Sequence, residues 1–111
     1  MSNDYGYGEV WWGPAPHKSS PAYRPWLIIS DERHPFSKDE CIVLAMTSQT
    51  HSEGIEVQDT DWVRGGSDKD SYISPWYVTT VKKRDLDSQQ GELRAATVEK
   101  AVGKLSRYIE V

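Results

Sequence analysis

Short apolar runs, separated by proline, glycine and charged residues, restrict most of this chain to a fold of short strands. Two runs, WLIIS at 26–30 and CIVLAMTS at 41–48, are continuous and rich in branched side chains. Such runs are typical of strands that are buried on both faces or that span a small barrel. GEVWWG at 8–13 predicts a further strand, and GIEVQ at 54–58 alternates like a half-buried one.

A fifth predicted strand and a C-terminal helix complete the fold. SYISPWYVTTV at 71–81 has the composition of a strand, but Pro75 has no N–H to donate, so this strand lies at a sheet edge or is bulged there. After residue 84 the apolar period changes to that of an amphipathic helix. The apolar stripe of this helix consists of Val98, Ala101, Val102, Leu105 and Ile109. The pattern predicts a mainly β fold, a small, strongly bent β-barrel with one C-terminal helix.

Length and composition indicate the class of protein. A chain of 111 residues is expected to form one domain over residues 1–111 with a single core. Its 37% apolar and 27% charged residues are ordinary for a soluble globular protein. No apolar run reaches the roughly 18 residues of a membrane span, and the N-terminal MSNDYGYGEV lacks the regions of a signal peptide. We therefore expect a cytoplasmic protein with no membrane partner.

Charge and residue types exclude several kinds of chemistry. The net charge of −4 excludes a surface that is basic overall, so any contact with nucleic acid must come from a local patch. Cys41 has no partner for an internal disulfide, and its neighbours in CIVLAM indicate a buried small hydrophobe. His17, His34 and His51 fall in different loops, which predicts no metal site. No nucleophile elbow or phosphate-binding loop is present, no cofactor is implied, and RGGSDKD at 64–70 is interpreted as a turn.

The remaining candidates are polar side chains at strand ends. Arg24 opens the second predicted strand, and Thr47, Ser48 and Gln49 close the third. If these two strands are antiparallel neighbours, both ends lie at the same edge of the sheet. Pro25 restricts the backbone of Arg24, so the guanidinium and the facing hydroxyls would form a fixed group of donors. Such a group suits an anion, above all a phosphate.

A purely structural alternative remains open for the same residues. Arg24 could form an ion pair with Asp31, Glu32 or another surface carboxylate. The stretch TSQT at 47–50 could then be no more than the hydrogen-bonded start of a loop. The two interpretations differ in whether a carboxylate lies beside Arg24.

The order of motifs from Gly8 to Ile109 resembles that of the MazF/PemK family of toxins from toxin–antitoxin modules. The resemblance lies in GEVWW, a proline- and serine-containing loop, RPWLIIS, IVLAMTSQ, GIEV, KDSYI, TVKKRDL, GEL and the C-terminal amphipathic helix. It implies the small SH3-like β-barrel of the MazF, PemK and CcdB toxins, with a C-terminal helix, and a homodimer. It also implies a metal-independent endoribonuclease that cuts single-stranded mRNA at short sequences and is neutralised by a cognate antitoxin.

The resemblance also implies roles for individual residues. Arg24 matches the catalytic arginine of the family and Thr47 its catalytic threonine, while Ser19 or Ser20 matches a position that contacts RNA. A ribose 2′-hydroxyl would attack the adjacent phosphorus while Arg24 stabilises the charge that builds on the phosphate oxygens. Thr47 would orient the phosphate, and the products would be a 2′,3′-cyclic phosphate and a 5′-hydroxyl.

The chain departs from the family pattern in the strand at 71–81. Many members have EQIRT or a similar sequence where this chain has PWYVTT, so that Tyr77 replaces a glutamine and Thr79 an arginine. Trp76 and Tyr77 could stack on unpaired bases, at about 1–3 kcal/mol per base. Farther along, Lys82 and Lys83 in TVKKRDL form either a solvated turn or a contact with RNA phosphates or the antitoxin.

Two other classes of function remain open. A non-catalytic member of the same fold could bind a protein target, as a gyrase-poisoning toxin does, and an aromatic-rich SH3-like module could bind a ligand with no role for Arg24. The presence of both Arg24 and Thr47 favours the endoribonuclease. Trp11, Trp12 and Trp26 are assigned to packing in the core or at a dimer contact.

Overall fold

The computed structural model describes residues 6–15 and 22–110, which form seven strands, two short 3₁₀ turns and one helix. The strands are β1 (Glu9–Pro14), β2 (Tyr23–Ile28), β3 (Glu40–Thr47), β4 (Ile55–Val57), β5 (Trp62–Gly65), β6 (Ser71–Lys82) and β7 (Ser88–Leu93). The 3₁₀ turns are Asp59–Asp61 and Lys83–Asp85, and the helix is α1 (Ala95–Ile109).

The seven strands form one antiparallel sheet in the order β4-β6-β3-β2-β1-β7-β5. The two strands at the ends of this order, β4 and β5, follow each other in the chain with only the 3₁₀ turn at Asp59–Asp61 between them. The two edges of the sheet are thereby brought together, and the sheet closes almost completely into a barrel. The predicted SH3-like β-barrel with a C-terminal helix is confirmed.

Of the two alternatives for Pro75, a sheet edge or a bulge, a bulge is present in β6. Leu44 of β3 pairs with Val78, whereas the next residue, Ala45, pairs with Ser74. Three residues of β6, 75–77, therefore lie between the partners of two consecutive residues of β3. Pro75 itself is fully buried. Because proline cannot donate to the ladder, the strand interrupts its pairing at this point. The interruption places Trp76 and Tyr77 outside the regular alternation of the strand.

Strand β5 is absent from the sequence prediction, which assigned 64–70 to a turn. It pairs with β7 through Gly65 and Gly91. Gly65 has a φ of +71°, and a Cβ on this residue would lie 2.1 Å from the carbonyl oxygen of Gln90. Only a glycine fits there. The pairing of β5 therefore depends on two glycines that are distant in sequence, and a local pattern does not reveal it.

Two clusters of buried side chains lie on opposite faces of β2 and β3, where the sequence predicts a single core. Leu27 and Leu44 belong to one cluster, which also contains Val98 and Ala101 of α1. Trp26 belongs to the other. The continuous apolar runs of β2 and β3 are thus explained, since both faces of these strands are covered.

Cys41 lies in the second cluster and is 1% exposed. Burial raises the pKa of its thiol from 9.0 to about 11. The thiol therefore stays protonated at neutral pH, which agrees with its interpretation as a small buried hydrophobe.

The apolar stripe of α1 is confirmed over most of its length. Val98 and Ala101 are buried, and Val102 and Leu105 pack against the first cluster, but Ile109 is 71% exposed at the end of the helix. In the described part of the chain, no helix has the length and apolar character that a membrane crossing requires.

Asp61 joins the 3₁₀ turn to the start of α1. Its carboxylate accepts hydrogen bonds from Gln58 N (2.7 Å), Thr97 Oγ1 (2.8 Å) and Arg94 Nε (3.0 Å). Burial alone would raise the pKa of Asp61, but the hydrogen bonds from Gln58, Thr97 and Arg94 outweigh burial and lower it below 3.8. Asp61 is therefore charged at neutral pH and fixes the helix against the barrel.

Candidate functional site

Arg24 and Thr47 lie beside each other at one edge of the barrel. Strands β2 and β3 are antiparallel, with Trp26 opposite Ala45. Two residues farther in this register, Arg24 faces Thr47. Both residues line two adjoining clefts. The condition on which their proximity depended, that the two strands are antiparallel neighbours, is met. Because β2 begins at Tyr23, Arg24 is the second residue of the strand rather than the residue before it.

The first cleft has a volume of about 550 Å³. Ser48 lines it, and so does the loop from Gly66 to Ser71, which contains Asp68, Lys69 and Asp70. Gln90 anchors this loop, since its Nε2 donates to Gly66 O at 3.1 Å. The charged side chains that line this cleft are thus two acidic ones, Asp68 and Asp70, and two basic ones, Arg24 and Lys69.

The second cleft has a volume of about 240 Å³ and a different chemistry. Its lining residues in the described part of the chain include no carboxylate. They are Arg24, Thr47, Gln49, Thr50, His51, Gly54, Tyr72, Ser74, Trp76 and Tyr77. On a chain with a net charge of −4, this cleft combines one permanent positive charge, several hydrogen-bonding groups and exposed rings.

The guanidinium of Arg24 lies against aromatic rings rather than a carboxylate. Its Cζ is 5.5 Å from the centre of the Tyr77 ring and 5.7 Å from that of the Trp26 ring. Among residues 6–15 and 22–110, no acidic side chain forms an ion pair with Arg24, and Asp31 pairs instead with Arg33 at 2.9 Å. The structural alternative for Arg24, an ion pair with Asp31, is therefore not what the described residues form.

The backbone after Thr47 turns around its hydroxyl. Gln49 N donates to Thr47 Oγ1 at 3.1 Å, which fixes the oxygen and leaves its proton to be donated to a ligand. Tyr72 lies in the same cleft, and burial, followed by the negative charges of Asp70 and Glu56, raises the pKa of its phenol. Tyr72 is therefore also a hydrogen-bond donor at neutral pH.

The bulge in β6 gives Trp76 and Tyr77 different surroundings. The Tyr77 ring is half-buried and meets the Trp26 ring edge-on, with centroids 5.6 Å apart. Trp76 is 42% exposed, and its ring lies 4.6 Å from the ring of His51. Both rings line the second cleft, but the Tyr77 ring contacts Arg24 and Trp26, whereas the Trp76 ring contacts His51.

Four of the predicted RNA-binding residues lie elsewhere or outside the described chain. Lys82 forms an ion pair with Glu40 at 2.5 Å, at the end of β3 opposite to Thr47. Seven residue steps along β3, or about 23 Å, separate Glu40 from Thr47. Lys83 follows Lys82 and lines another surface depression. Ser19 and Ser20 lie outside the described residues.

Three parts of the site were missed by sequence reasoning. They are His51, Gln90 and the loop from Gly66 to Ser71. The signal for His51 is weak, since its only local mark is the turn HSEG, closed by a hydrogen bond from Gly54 N to His51 O at 2.9 Å. Within the described residues, no three His, Cys, Asp or Glu side chains are grouped so that they could hold a metal ion.

A family model for PemK-like, MazF-like toxins of type II toxin–antitoxin systems matches residues 7–109. The chain belongs to this family. No curated protein sequence matches the chain. The family match covers every strand and the helix of the barrel, and it includes both clefts.

Solved structures of similar proteins share the fold. An endoribonuclease from a mycobacterial species has a TM-score of 0.75 and 18% identity, covering 100% of this chain and 96% of that one. A mycobacterial endoribonuclease in complex with its cognate antitoxin has a TM-score of 0.73 and 19% identity, with coverage of 98% and 96%. A MazE–MazF complex from Deinococcus radiodurans has a TM-score of 0.70 and 14% identity, with coverage of 96% and 95%.

Proposed function

We propose that this toxin is a sequence-selective, metal-independent endoribonuclease that cuts single-stranded mRNA in the cytoplasm. The observation that carries the proposal is the position of Arg24, which faces Thr47 and has no carboxylate partner among the described residues. An arginine held in this way binds a phosphate without first having to break an ion pair. Family membership and the endoribonuclease structures of the same fold support this activity.

The second cleft fits an RNA strand better than the first, although it is smaller. In the first cleft the carboxylates of Asp68 and Asp70 offset the positive charges of Arg24 and Lys69, whereas the described lining of the second cleft has Arg24 and no carboxylate. The second cleft also holds Trp76, whose exposed ring is suited to stacking on an unpaired base. We place the scissile phosphate at Arg24 and Thr47, where the two clefts meet, and the neighbouring base in the second cleft.

The chemistry follows from the two polar groups. The 2′-hydroxyl oxygen attacks the adjacent phosphorus as the bond to the 5′-oxygen breaks, and negative charge builds on the non-bridging oxygens. The Arg24 guanidinium binds these oxygens and stabilises the transition state, and Thr47 Oγ1 donates a hydrogen bond that orients the phosphate. The 2′-hydroxyl proton passes to water, the departing 5′-oxygen takes up a proton from Arg24, and the guanidinium regains its proton from water. The products are a 2′,3′-cyclic phosphate and a 5′-hydroxyl.

Two kinds of partner complete the proposal. The related toxins solved with an antitoxin support inhibition by a cognate antitoxin that covers the RNA cleft. The resemblance to the family supports a homodimer. Ser48 and Gln49 adjoin Thr47 and are proposed to bind RNA with Trp76. Ser19 or Ser20 is proposed as a further RNA contact from the preceding loop.

The test of this function is cleavage of a single-stranded RNA in the presence of EDTA. We expect the wild type to cut, and Arg24→Ala to cut about 10²–10³-fold more slowly, since it loses the donors to the developing charge. Arg24→Lys keeps the charge but not the planar fork, so its rate should lie between the two. A requirement for Mg²⁺, or an unchanged rate in Arg24→Ala, would contradict the proposal.

The matched control is Arg33→Ala. Arg33 is also an arginine, but its side chain is highly exposed and forms an ion pair with Asp31. Its loss should leave the cleavage rate within about two-fold of the wild-type rate, because surface ion pairs contribute little to the stability of the fold. The thermal unfolding of each variant shows whether a lost rate reflects a lost fold.

A further inference from the structure

His51 is held in one orientation by its own turn. Its Nδ1 accepts a hydrogen bond from Glu53 N at 3.0 Å, and its carbonyl oxygen accepts one from Gly54 N at 2.9 Å. In the neutral ring the proton therefore lies on Nε2. The ring is tilted by 51° against that of Trp76, with the two centroids 4.6 Å apart.

The C-terminal helix holds the same turn from the other side. Lys104 Nζ donates to the carbonyl oxygen of Glu53 at 2.9 Å, and the Tyr108 hydroxyl donates to Glu53 Oε1 at 3.3 Å. Lys104 Nζ is also 3.5 Å from this carboxylate oxygen, so the charge of Glu53 is balanced. The position of the His51 ring is thus fixed before any ligand binds, which lowers the entropy cost of binding.

We propose that His51 is a nucleobase-binding residue, whose ring lies beside that of Trp76 at the position of the unpaired base next to the scissile phosphate. The inference rests on the proposed function and adds a subsite to it. Both rings line the cleft of Arg24 and Thr47, and every base has a π-face that stacks on such rings. The Nε2–H points to a second contribution, a hydrogen bond to an acceptor on the base or its phosphate.

The same geometry makes His51 a binding residue rather than a proton-transfer residue. A general base needs a free lone pair, and the Nδ1 lone pair already accepts the Glu53 N–H. Protonation of Nδ1 would break this bond and loosen the turn. His51 therefore affects the affinity for RNA, and its loss leaves the rate at saturating RNA unchanged.

The chain contains a matched control in His34. Its Nδ1 also accepts an N–H from two residues onward, that of Phe36 at 2.9 Å, and its ring also meets an aromatic ring, that of Phe36 at 6.3 Å. His34 lines neither cleft at Arg24. A change at His34 removes the same local contacts without touching the proposed subsite.

The experiment measures the dissociation constant of an uncleavable 2′-deoxy oligonucleotide and, separately, kcat and KM on RNA. We expect His51→Ala to weaken binding about 5- to 150-fold with kcat unchanged. His51→Phe, which keeps a ring but lacks Nδ1, should recover most of the affinity. His34→Ala should bind as the wild type does.

Each other outcome overturns the inference. If His51→Phe binds as weakly as His51→Ala, the turn rather than the ring is what matters. If His51→Ala binds normally but loses kcat, His51 transfers protons. A wild type that neither binds nor cuts RNA overturns the proposed function as well, whereas one that does both while His51→Ala binds equally well overturns this inference alone.

Discussion

Aromatic rings hold the permanent charge of Arg24 without neutralising it. A carboxylate would fix the guanidinium more firmly but would occupy the donors that a phosphate needs. The faces of Trp26 and Tyr77 attract the cation more weakly, at about 0.5–2 kcal/mol, and do not occupy its N–H donors, which lie in the plane of the fork. The position of a charge near the start of a buried strand is thus explained, since the charge is held in place while no carboxylate of the described residues occupies its donors.

Tyr77 should therefore act on catalysis through Arg24. We expect Tyr77→Leu to lower kcat about 5- to 10-fold, since the loss of a cation–π contact of about 1 kcal/mol lets the guanidinium leave its position. Tyr77→Phe keeps the ring and should keep the rate within about three-fold. Steady-state kinetics on RNA measures both variants.

The sequence interpretation of Tyr77, a ring that stacks on a base, predicts a different pattern. It requires a loss of affinity for an uncleavable oligonucleotide with kcat preserved. If Tyr77→Leu shows this pattern, the supporting role for Arg24 is wrong. Trp76→Leu is the control, because the exposed Trp76 ring should affect affinity and leave kcat unchanged.

At the scale of the elements, the sequence predicted those strands and the helix whose own residues show a clear apolar pattern. The continuous apolar runs located β2 and β3, the stripe from Val98 to Leu105 located α1, and Pro75 located the bulge. Strand β5 has no such local signal, since its sequence, WVRG, forms a strand only through its pairing with β7 at Gly91. A register between distant segments is not encoded in either segment alone.

The same limit explains which part of the candidate site could be predicted. Arg24 and Thr47 lie near the ends of neighbouring strands, so their proximity follows from one antiparallel pairing. The contact between His51 and Trp76 depends on the turn after β3, the bulge in β6 and the pairing of the two strands together. No single local pattern contains all three.

Asp61 should determine how firmly α1 is attached to the barrel. We expect Asp61→Ala to lower the free energy of unfolding by about 2–3 kcal/mol, because Gln58 N, Thr97 Oγ1 and Arg94 Nε all lose their acceptor. Asp59→Ala, in the same turn but exposed, should change it by less than about 0.5 kcal/mol. Denaturant unfolding at neutral pH measures both.

The contribution of Asp61 also has a defined dependence on pH. The folded-state pKa lies below the ordinary value of 3.8, so the carboxylate contributes fully above that value and its contribution is lost as pH falls through the folded pKa. The difference between wild type and Asp61→Ala should be constant from pH 8 to about pH 5 and shrink below about pH 4. A difference that instead grows on acidification would contradict the assignment.

At the scale of the whole molecule, we expect two protomers to associate through the outer row of β6. Val78 is 41% exposed on this strand and lies two residues beyond Trp76, whose ring lines the second cleft. A stable contact buries about 800 Å² per protomer, and a shared face here would hold the RNA between two copies of the cleft. Light scattering at micromolar concentration should therefore give twice the protomer mass of 12.6 kDa.

Single charges introduced on the surface locate this contact. Val78→Asp should shift the protein to monomers, because an isologous contact places the new carboxylate near its own copy and removes it from water. Ile109→Asp, at the more exposed end of α1, should remain a dimer. A monomeric wild type would rule out the dimer, and a dimer that tolerates Val78→Asp but not Ile109→Asp would move the contact to the helix. In that second case the clefts of the two protomers would lie apart, and each would have to bind its own RNA strand.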